Sequence, residues 1–213
     1  MKKIFIDCGA NIGQSAEAWI NNIDNNKEYE LHCFEASKKV FPTLSQRTIN
    51  FVNDGNNMTS YNKAVWINND GVRFHDMGNE SSSTDIRKRG MVADKMKLVK
   101  SINLSEFIKN YSKDDMIVLK MDIEGGEYTI VPHLYETGAL DYIDIGFFEF
   151  HATKMEKATI EADYEILRML KESNVDSYYW SAEYTKTNES PYDESRAINK
   201  EAILKEWKRK GRI

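Results

Sequence analysis

The sequence predicts an α/β fold: a mostly parallel sheet with helices on both faces, in a single domain spanning 1–213. Three observations predict it. Short apolar runs rich in Ile, Val and Phe alternate with amphipathic stretches. The first run, Ile4-Phe5-Ile6-Asp7-Cys8, passes through the tight loop Gly9-Ala10-Asn11-Ile12-Gly13 into a helical pattern. The run at 116–122 is apolar almost throughout, as expected of a strand covered on both faces.

The elements follow in order. Residues 4–8 read as a strand and 12–22 as a helix; 30–34 is a second strand and 38–47 a second helix. Residues 61–66 read as a strand, with 72–76 as its hairpin partner across the turn Asn69-Asp70-Gly71. Residues 77–97 are polar, with Gly78, the run Ser81-Ser82-Ser83-Thr84 and Gly90, and predict a loop or lid. A short helix covers 104–111, capped by Asn103 or Ser105. The buried strand 116–122 leads into a helix over 127–140 that contains Pro132. A strand at 143–151, a helix at 160–173 and a strand at 175–180 complete the alternation. Residues 181–196 read as a second polar loop, and 199–210 as a basic helix.

Composition narrows the class. A chain of 213 residues supports one sizeable core. Its net charge of -5 opposes a general nucleic-acid binder. No apolar run approaches the roughly 20 residues that span a bilayer, and no signal peptide precedes the first strand. Cys8 and Cys33 fall on neighbouring core strands, so buried free thiols and a reducing, cytoplasmic setting are expected.

The glycine loop narrows the ligand. A dinucleotide fingerprint, G-x-G-x-x-G, presents amides to a pyrophosphate. Here Gly9 and Gly13 flank Asn11 where the second glycine belongs, and Asp7 sits at the strand end. A carboxylate there disfavours phosphate and favours a ligand with ammonium or sulfonium charge, as in S-adenosylmethionine. Asp7, Gly9, Ala10, Asn11 and Gly13 are therefore the first candidate cofactor residues. Glu35 ends the next strand about 20 residues on, where a carboxylate takes both ribose hydroxyls. Its bland reading is an exposed acid at a helix start.

A second cluster lies in Leu119-Lys120-Met121-Asp122-Ile123-Glu124-Gly125-Gly126-Glu127. Lys120, Asp122 and Glu124 alternate, so they share a face at a strand's carboxyl end. Glu149 and His151 share a face by the same rule. Converging acids of this kind shift one another's pKa values.

Five segments in order resemble the FkbM-type S-adenosylmethionine-dependent methyltransferases. They are Asp7-x-Gly9-Ala10-Asn11-x-Gly13, Phe34-Glu35-Ala36, Asn62-Lys63-Ala64-Val65, Leu119 to Glu127, and Phe148-Glu149-x-His151. The resemblance covers about 4–151. It implies a class I (Rossmann-like) methyltransferase fold, S-adenosylmethionine as donor, and O-methylation of a sugar, glycan or other small-molecule hydroxyl. It also places Ala64 and Asp122 beside the cofactor. Ala36 stands where the family often has proline, which implies a looser adenosine wall. Substrate specificity is expected in the loops 77–97 and 181–196.

The expected reaction is in-line attack of an acceptor oxygen on the methyl group, accelerated by positioning. Asp122 is the acid expected nearest the methyl, and Glu124 or His151 the expected base. Each has a bland alternative: Asp122 pairing with Lys120, His151 as an edge histidine, Glu127 as a helix-terminal acid. A divalent metal on Asp122, Glu124, Glu149 and His151 is the lesser alternative. Rival functions are an NAD-dependent oxidoreductase, a ribose 2′-O-methyltransferase acting on nucleic acid, and a non-catalytic domain keeping the fold. The basic tail at 205–212 reads as a solvated helix end.

Overall fold

The computed structural model describes residues 1–23, 25–78, 82–85, 87–156, 159–180 and 194–213. β1 (Lys3–Cys8) runs into α1 (Gln14–Asn22), and β2 (Tyr29–Phe34) into α2 (Phe41–Asn53). β3 (Asn57–Tyr61) is followed by the short strands β4 (Ala64–Trp66), β5 (Val72–Phe74), β6 (Lys97–Val99) and β7 (Ser101–Asn103). Then come α3 (Leu104–Ile108), β8 (Met116–Met121), α4 (Glu127–Glu136), β9 (Ile145–Phe148), α5 (Ile160–Glu172), β10 (Asp176–Tyr179) and α6 (Lys200–Arg209).

The central sheet has six strands in the order β10-β9-β8-β1-β2-β3, and each pairing is parallel. The chain steps outward from β1 to β3 on one side and from β8 to β10 on the other. The reversal falls between β1 and β8, where the carboxyl ends diverge and leave a crevice. This is the doubly wound α/β architecture expected from the alternating pattern.

Strand alternation supplies both cores. Ile4, Ile6 and Cys8 point with Ile117, Leu119 and Met121 toward the side chains of α3, α4, α5 and α6. Phe5, Val118 and Phe147 point the other way, toward Trp19 of α1 and Leu44 of α2. Phe5 stacks on Trp19 with ring centroids 4.4 Å apart. Each such buried side chain contributes about 1.5–3 kcal/mol relative to exposure. α6 buries Ile203 and Trp207, while Arg209 and Lys210 pair outward with Glu206, as a solvated helix end requires. Cys8 and Cys33 are free and buried.

The middle of the chain differs from expectation. The strand expected over 61–66 is broken at Asn62, whose side chain turns back to donate to the Glu35 and Ala36 carbonyls at 2.9 and 3.4 Å. β3 ends at Tyr61, and β4 leaves the main sheet to pair in parallel with β7. The hairpin across Asn69-Asp70-Gly71 does not form. β5 pairs antiparallel with β6 instead. The turn is held by the later segment: Gly71 N–H donates to Ser101 Oγ at 2.9 Å, and Asn69 Oδ1 accepts from Asn103 N–H at 3.0 Å. Asn103 is the cap of α3, accepting from Glu106 N–H.

The loop expected over 77–97 is partly built in. Ser83 bridges to His75, and Lys88 to Met155. Ser83 Oγ donates to the Glu124 carbonyl at 2.7 Å, so this segment folds onto the carboxyl end of β8. Of the second expected lid, 181–193 lies outside the described residues, and Glu194–Arg196 form a 3-10 turn.

Candidate active site

The loop after β1 is tied to the end of β2. The amides of Gly9 and Ala10 both donate to the Phe34 carbonyl, at 3.1 and 2.9 Å. Gly13 N–H donates to the Ala10 carbonyl at 2.7 Å. Asn11 N–H donates to Glu35 Oε2 at 2.9 Å, and Ser37 N–H to Glu35 Oε1 at 2.6 Å. Gly9, at φ 83°, has no alternative: a Cβ there would lie 1.9 Å from the Asp122 carbonyl oxygen.

Two adjoining cavities open at these strand ends. One is lined by Gly9, Asn11, Glu35 and Ala64, with Phe34, Val40 and Phe74 as its apolar wall. The other is lined by Gln14, Ser15, Glu149, Lys154 and Trp180. Gly9, Asn11, Asp122 and Glu124 line both. Gly9, Asn11, Glu35, Ala64, Asp122 and Glu124 are thus brought together on one cleft. Asp7, Ala10, Gly13 and His151 are buried and line neither cavity.

The reason is depth. Asp7 is fully buried and stands beside Lys120 in the β1–β8 register. Lys120 Nζ lies 3.2 Å from Asp7 Oδ1, donates to the Gly9 carbonyl at 2.8 Å, and reaches Asp122 Oδ2 at 3.7 Å. Burial alone would lower the lysine's pKa, but Asp7 and Asp122 raise it above its ordinary value. Asp7 thus neutralises the lysine that holds the glycine loop. Ala10 is packed into the core, and Gly13 starts α1 at φ 92°, with space for a Cβ limited by Leu44.

Four carboxylates surround His151, which is fully buried. Its Nδ1 lies 3.1 Å from Glu127 Oε1. Its Nε2 lies 3.3 Å from Glu124 Oε2, 3.3 Å from Glu149 Oε1 and 3.6 Å from Asp122 Oδ1. Tyr128 steadies this segment: its hydroxyl donates to Asp163 Oδ1 and accepts the Ala152 N–H, at 2.6 and 2.7 Å. Glu127 does more than start a helix. Its carboxylate accepts the N–H groups of Ile123 and Gly125, each at 2.8 Å, and shapes the turn after β8. In that turn Glu124 is left-handed at φ 58°, a backbone cost of about 1–2 kcal/mol. Ion pairs with Lys88 at 2.8 Å and Lys154 at 3.1 Å act against that cost.

The charge states follow. Burial pushes the His151 pKa down, but Glu127, Glu124 and Glu149 override it and raise it well above the usual histidine range. Burial would raise Glu124, yet His151, Lys88 and Lys154 hold it well below the carboxylate range. Burial pushes Asp122 up to about 6, Lys120 opposing and Glu149 assisting. These directions favour Asp122 over His151 and Glu124 as the group that takes up a proton. Sequence reasoning named Asp122, Glu124, Glu149 and His151 but missed Lys88, Lys154 and Ser83. No local pattern marks them, because each reaches Glu124 from a segment 30–41 residues away in sequence.

The donor set tests the cofactor. The amides of Gly9, Ala10, Asn11 and Gly13 are already committed within the protein. Glu35, Asp122 and Glu124 add negative charge to the same cleft. Such a site does not cradle a pyrophosphate, but it suits a cationic, phosphate-free nucleoside. S-adenosylmethionine fits that description and NAD does not.

Among the described residues no helix is long and apolar enough to cross a membrane. No curated protein sequence gives a significant match. A solved structure, the methyltransferase FkbM from Methylobacillus flagellatus KT, is similar at 18% identity and a TM-score of 0.49. The likeness covers 79% of this chain and 37% of that one, so this chain spans well under half the length of that relative. Residues 7–177 match the sequence profile of the methyltransferase FkbM domain. That match takes in the glycine loop, Glu35, the segment around Asp122 and the strand ending at Glu149, so the chain belongs to the FkbM methyltransferase family.

Proposed function

We propose that the chain binds S-adenosylmethionine in this cleft and methylates a hydroxyl oxygen of a sugar, glycan or other small polar acceptor. The observation that carries this reading is an acidic cleft at the strand ends in which the amides of Gly9, Ala10, Asn11 and Gly13 are already committed. Each Glu35 oxygen accepts one backbone N–H, and each keeps a lone pair for a ribose hydroxyl. Phe34, Val40 and Phe74 offer the adenine an apolar wall. Bound S-adenosylmethionine supplies an electrophilic methyl on its sulfonium, and S-adenosylhomocysteine remains once the acceptor oxygen has taken that methyl.

Asp122 stands where the two cavities meet, so it can orient the acceptor hydroxyl and take its proton. Gln14, Ser15 and Lys154 line the second cavity with Trp180, a mixed polar and aromatic lining that suits a molecule with several hydroxyls. Holding donor and acceptor together supplies most of the acceleration, and proton transfer to Asp122 adds about 10²–10⁴-fold. The test is transfer of a labelled methyl from S-adenosylmethionine to a panel of sugars, glycans and simple alcohols. An alkali-stable ether product, reduced in Asp122→Asn, supports the reading. Label found only in esters, amines or nucleic acid would replace it.

A further inference from the structure

We propose that Asp122, Glu149 and His151 form a binding site for one divalent transition-metal cation beside the acceptor cavity, which Asp122 and Glu149 line. The side chain that points to it is His151. It is fully buried, and its Nε2 has no acceptor in hydrogen-bonding geometry among the described residues. Instead the nitrogen is aimed into a cluster where Asp122 and Glu149 each bring an oxygen, all three donor atoms within 4.8 Å of one another.

The spacings are those of a coordination shell. Ligand bonds of about 2.1 Å put neighbouring donors about 3.0 Å apart at a right angle and about 3.4 Å apart in a tetrahedron. Nε2 lies 3.3 Å from Glu149 Oε1 and 3.6 Å from Asp122 Oδ1. These distances are long and poorly directed for hydrogen bonds, but right for donors sharing an ion.

The surrounding shell is also in place. Glu127 Oε1 lies 3.1 Å from Nδ1. Glu127 already accepts two backbone N–H groups, so its carboxylate holds the Nδ1–H, and a cation bound at Nε2 takes the place of the proton which that nitrogen otherwise carries. Charge balance agrees. Lys88 and Lys154 are paired with Glu124, and Lys120 stands against Asp7. Once the cation has replaced the Nε2 proton, the carboxylates of Asp122, Glu124, Glu127 and Glu149 exceed the charge of Lys88 and Lys154 by two, which a divalent cation cancels. An imidazole among the ligands favours a first-row transition metal over Mg²⁺ or Ca²⁺, which take oxygen.

The site rests on the proposed reaction for its role. The cation would draw the acceptor oxygen toward the methyl as a Lewis acid, using Asp122 Oδ1 and leaving Oδ2, on the Lys120 side, outside the shell.

The experiment uses the full chain, stripped by chelator and titrated with Mn²⁺. Loss of the free-ion electron paramagnetic resonance signal reports binding. The expected result is one Mn²⁺ per chain, with spin-echo modulation from a directly bound imidazole nitrogen. That modulation is lost in His151→Gln. Glu149→Gln weakens binding about 10- to 100-fold. Asp122→Asn, a partly exposed position, does the same if Glu149→Gln fails to fold. Mn²⁺ that stays free, or that binds equally well to Glu149→Gln and Asp122→Asn, overturns the site. S-adenosylhomocysteine is titrated in parallel without metal. Its binding with no bound Mn²⁺ rejects the metal site alone. Bound Mn²⁺ with no S-adenosylhomocysteine binding rejects the cofactor reading and keeps the metal site.

Discussion

Replacing Glu35 with alanine removes the group that would read the ribose. Its two oxygens each accept one backbone N–H, from Asn11 at 2.9 Å and Ser37 at 2.6 Å. One lone pair per oxygen is left for the 2′- and 3′-hydroxyls. Hydrogen bonds to a charged acceptor contribute about 1.5–3 kcal/mol, so affinity for S-adenosylhomocysteine should fall about 10- to 150-fold. The variant also orphans the buried Ser37 amide, at about 1–3 kcal/mol of stability, so calorimetry is done well below the melting transition. A 2′-deoxy analogue separates ribose reading from loop damage. Wild-type protein should discriminate against it, and Glu35→Ala should bind both ligands alike, because the cycle isolates the pairwise contact. Equal affinity of wild type for the two ligands, or wild-type affinity in Glu35→Ala, refutes the assignment.

Other expectations follow from the same geometry. Burial raises the Glu35 pKa despite its backbone donors. Since the ionised form accepts the hydroxyls, S-adenosylhomocysteine affinity should be flat near neutrality and fall as pH drops through a value above an ordinary glutamate; Glu35→Ala should show no such fall. Gly9→Ala forces a Cβ to 1.9 Å from the Asp122 carbonyl at a left-handed φ. It should cost about 3 kcal/mol or more in urea unfolding and abolish cofactor binding; native-like stability would contradict the close approach. Lys120→Met strands the buried Asp7 carboxylate and should cost about 3–5 kcal/mol, whereas the double variant Asp7→Leu with Lys120→Met should recover most of that loss. A double variant no more stable than the single would show that Asp7 and Lys120 do not compensate each other.

Much of the frame was legible because it rests on periodicity. Residues 4–8 and 116–122 are apolar on both faces, and the strands ending at Cys8, Phe34, Met121 and Phe148 bring their acids to one edge of the sheet. Asn62 shows where that reading fails. One side chain bonding backward to Glu35 and Ala36 broke a strand that its neighbours' composition favoured. β3 was missed because Asn57-Met58-Thr59-Ser60-Tyr61 is an edge strand with a mostly polar pattern. Sequence spacing put Asp7 at a strand end but not its depth. Only the register that sets it against Lys120 shows it to be buried beneath the cleft. The charge around His151 was hidden for a similar reason, since it depends on the turn after β8, which carries Asp122, Glu124 and Glu127, meeting the end of β9, which carries Glu149.

The central claim is that this cleft holds S-adenosylmethionine rather than a dinucleotide. Calorimetric titration with S-adenosylhomocysteine and, in parallel, NAD⁺ tests it most directly. The account predicts micromolar binding of the first, lost in Glu35→Ala, and none of the second. NAD⁺ binding without S-adenosylhomocysteine binding would contradict it, and would mean that the committed amides of Gly9, Ala10, Asn11 and Gly13 do not exclude a pyrophosphate.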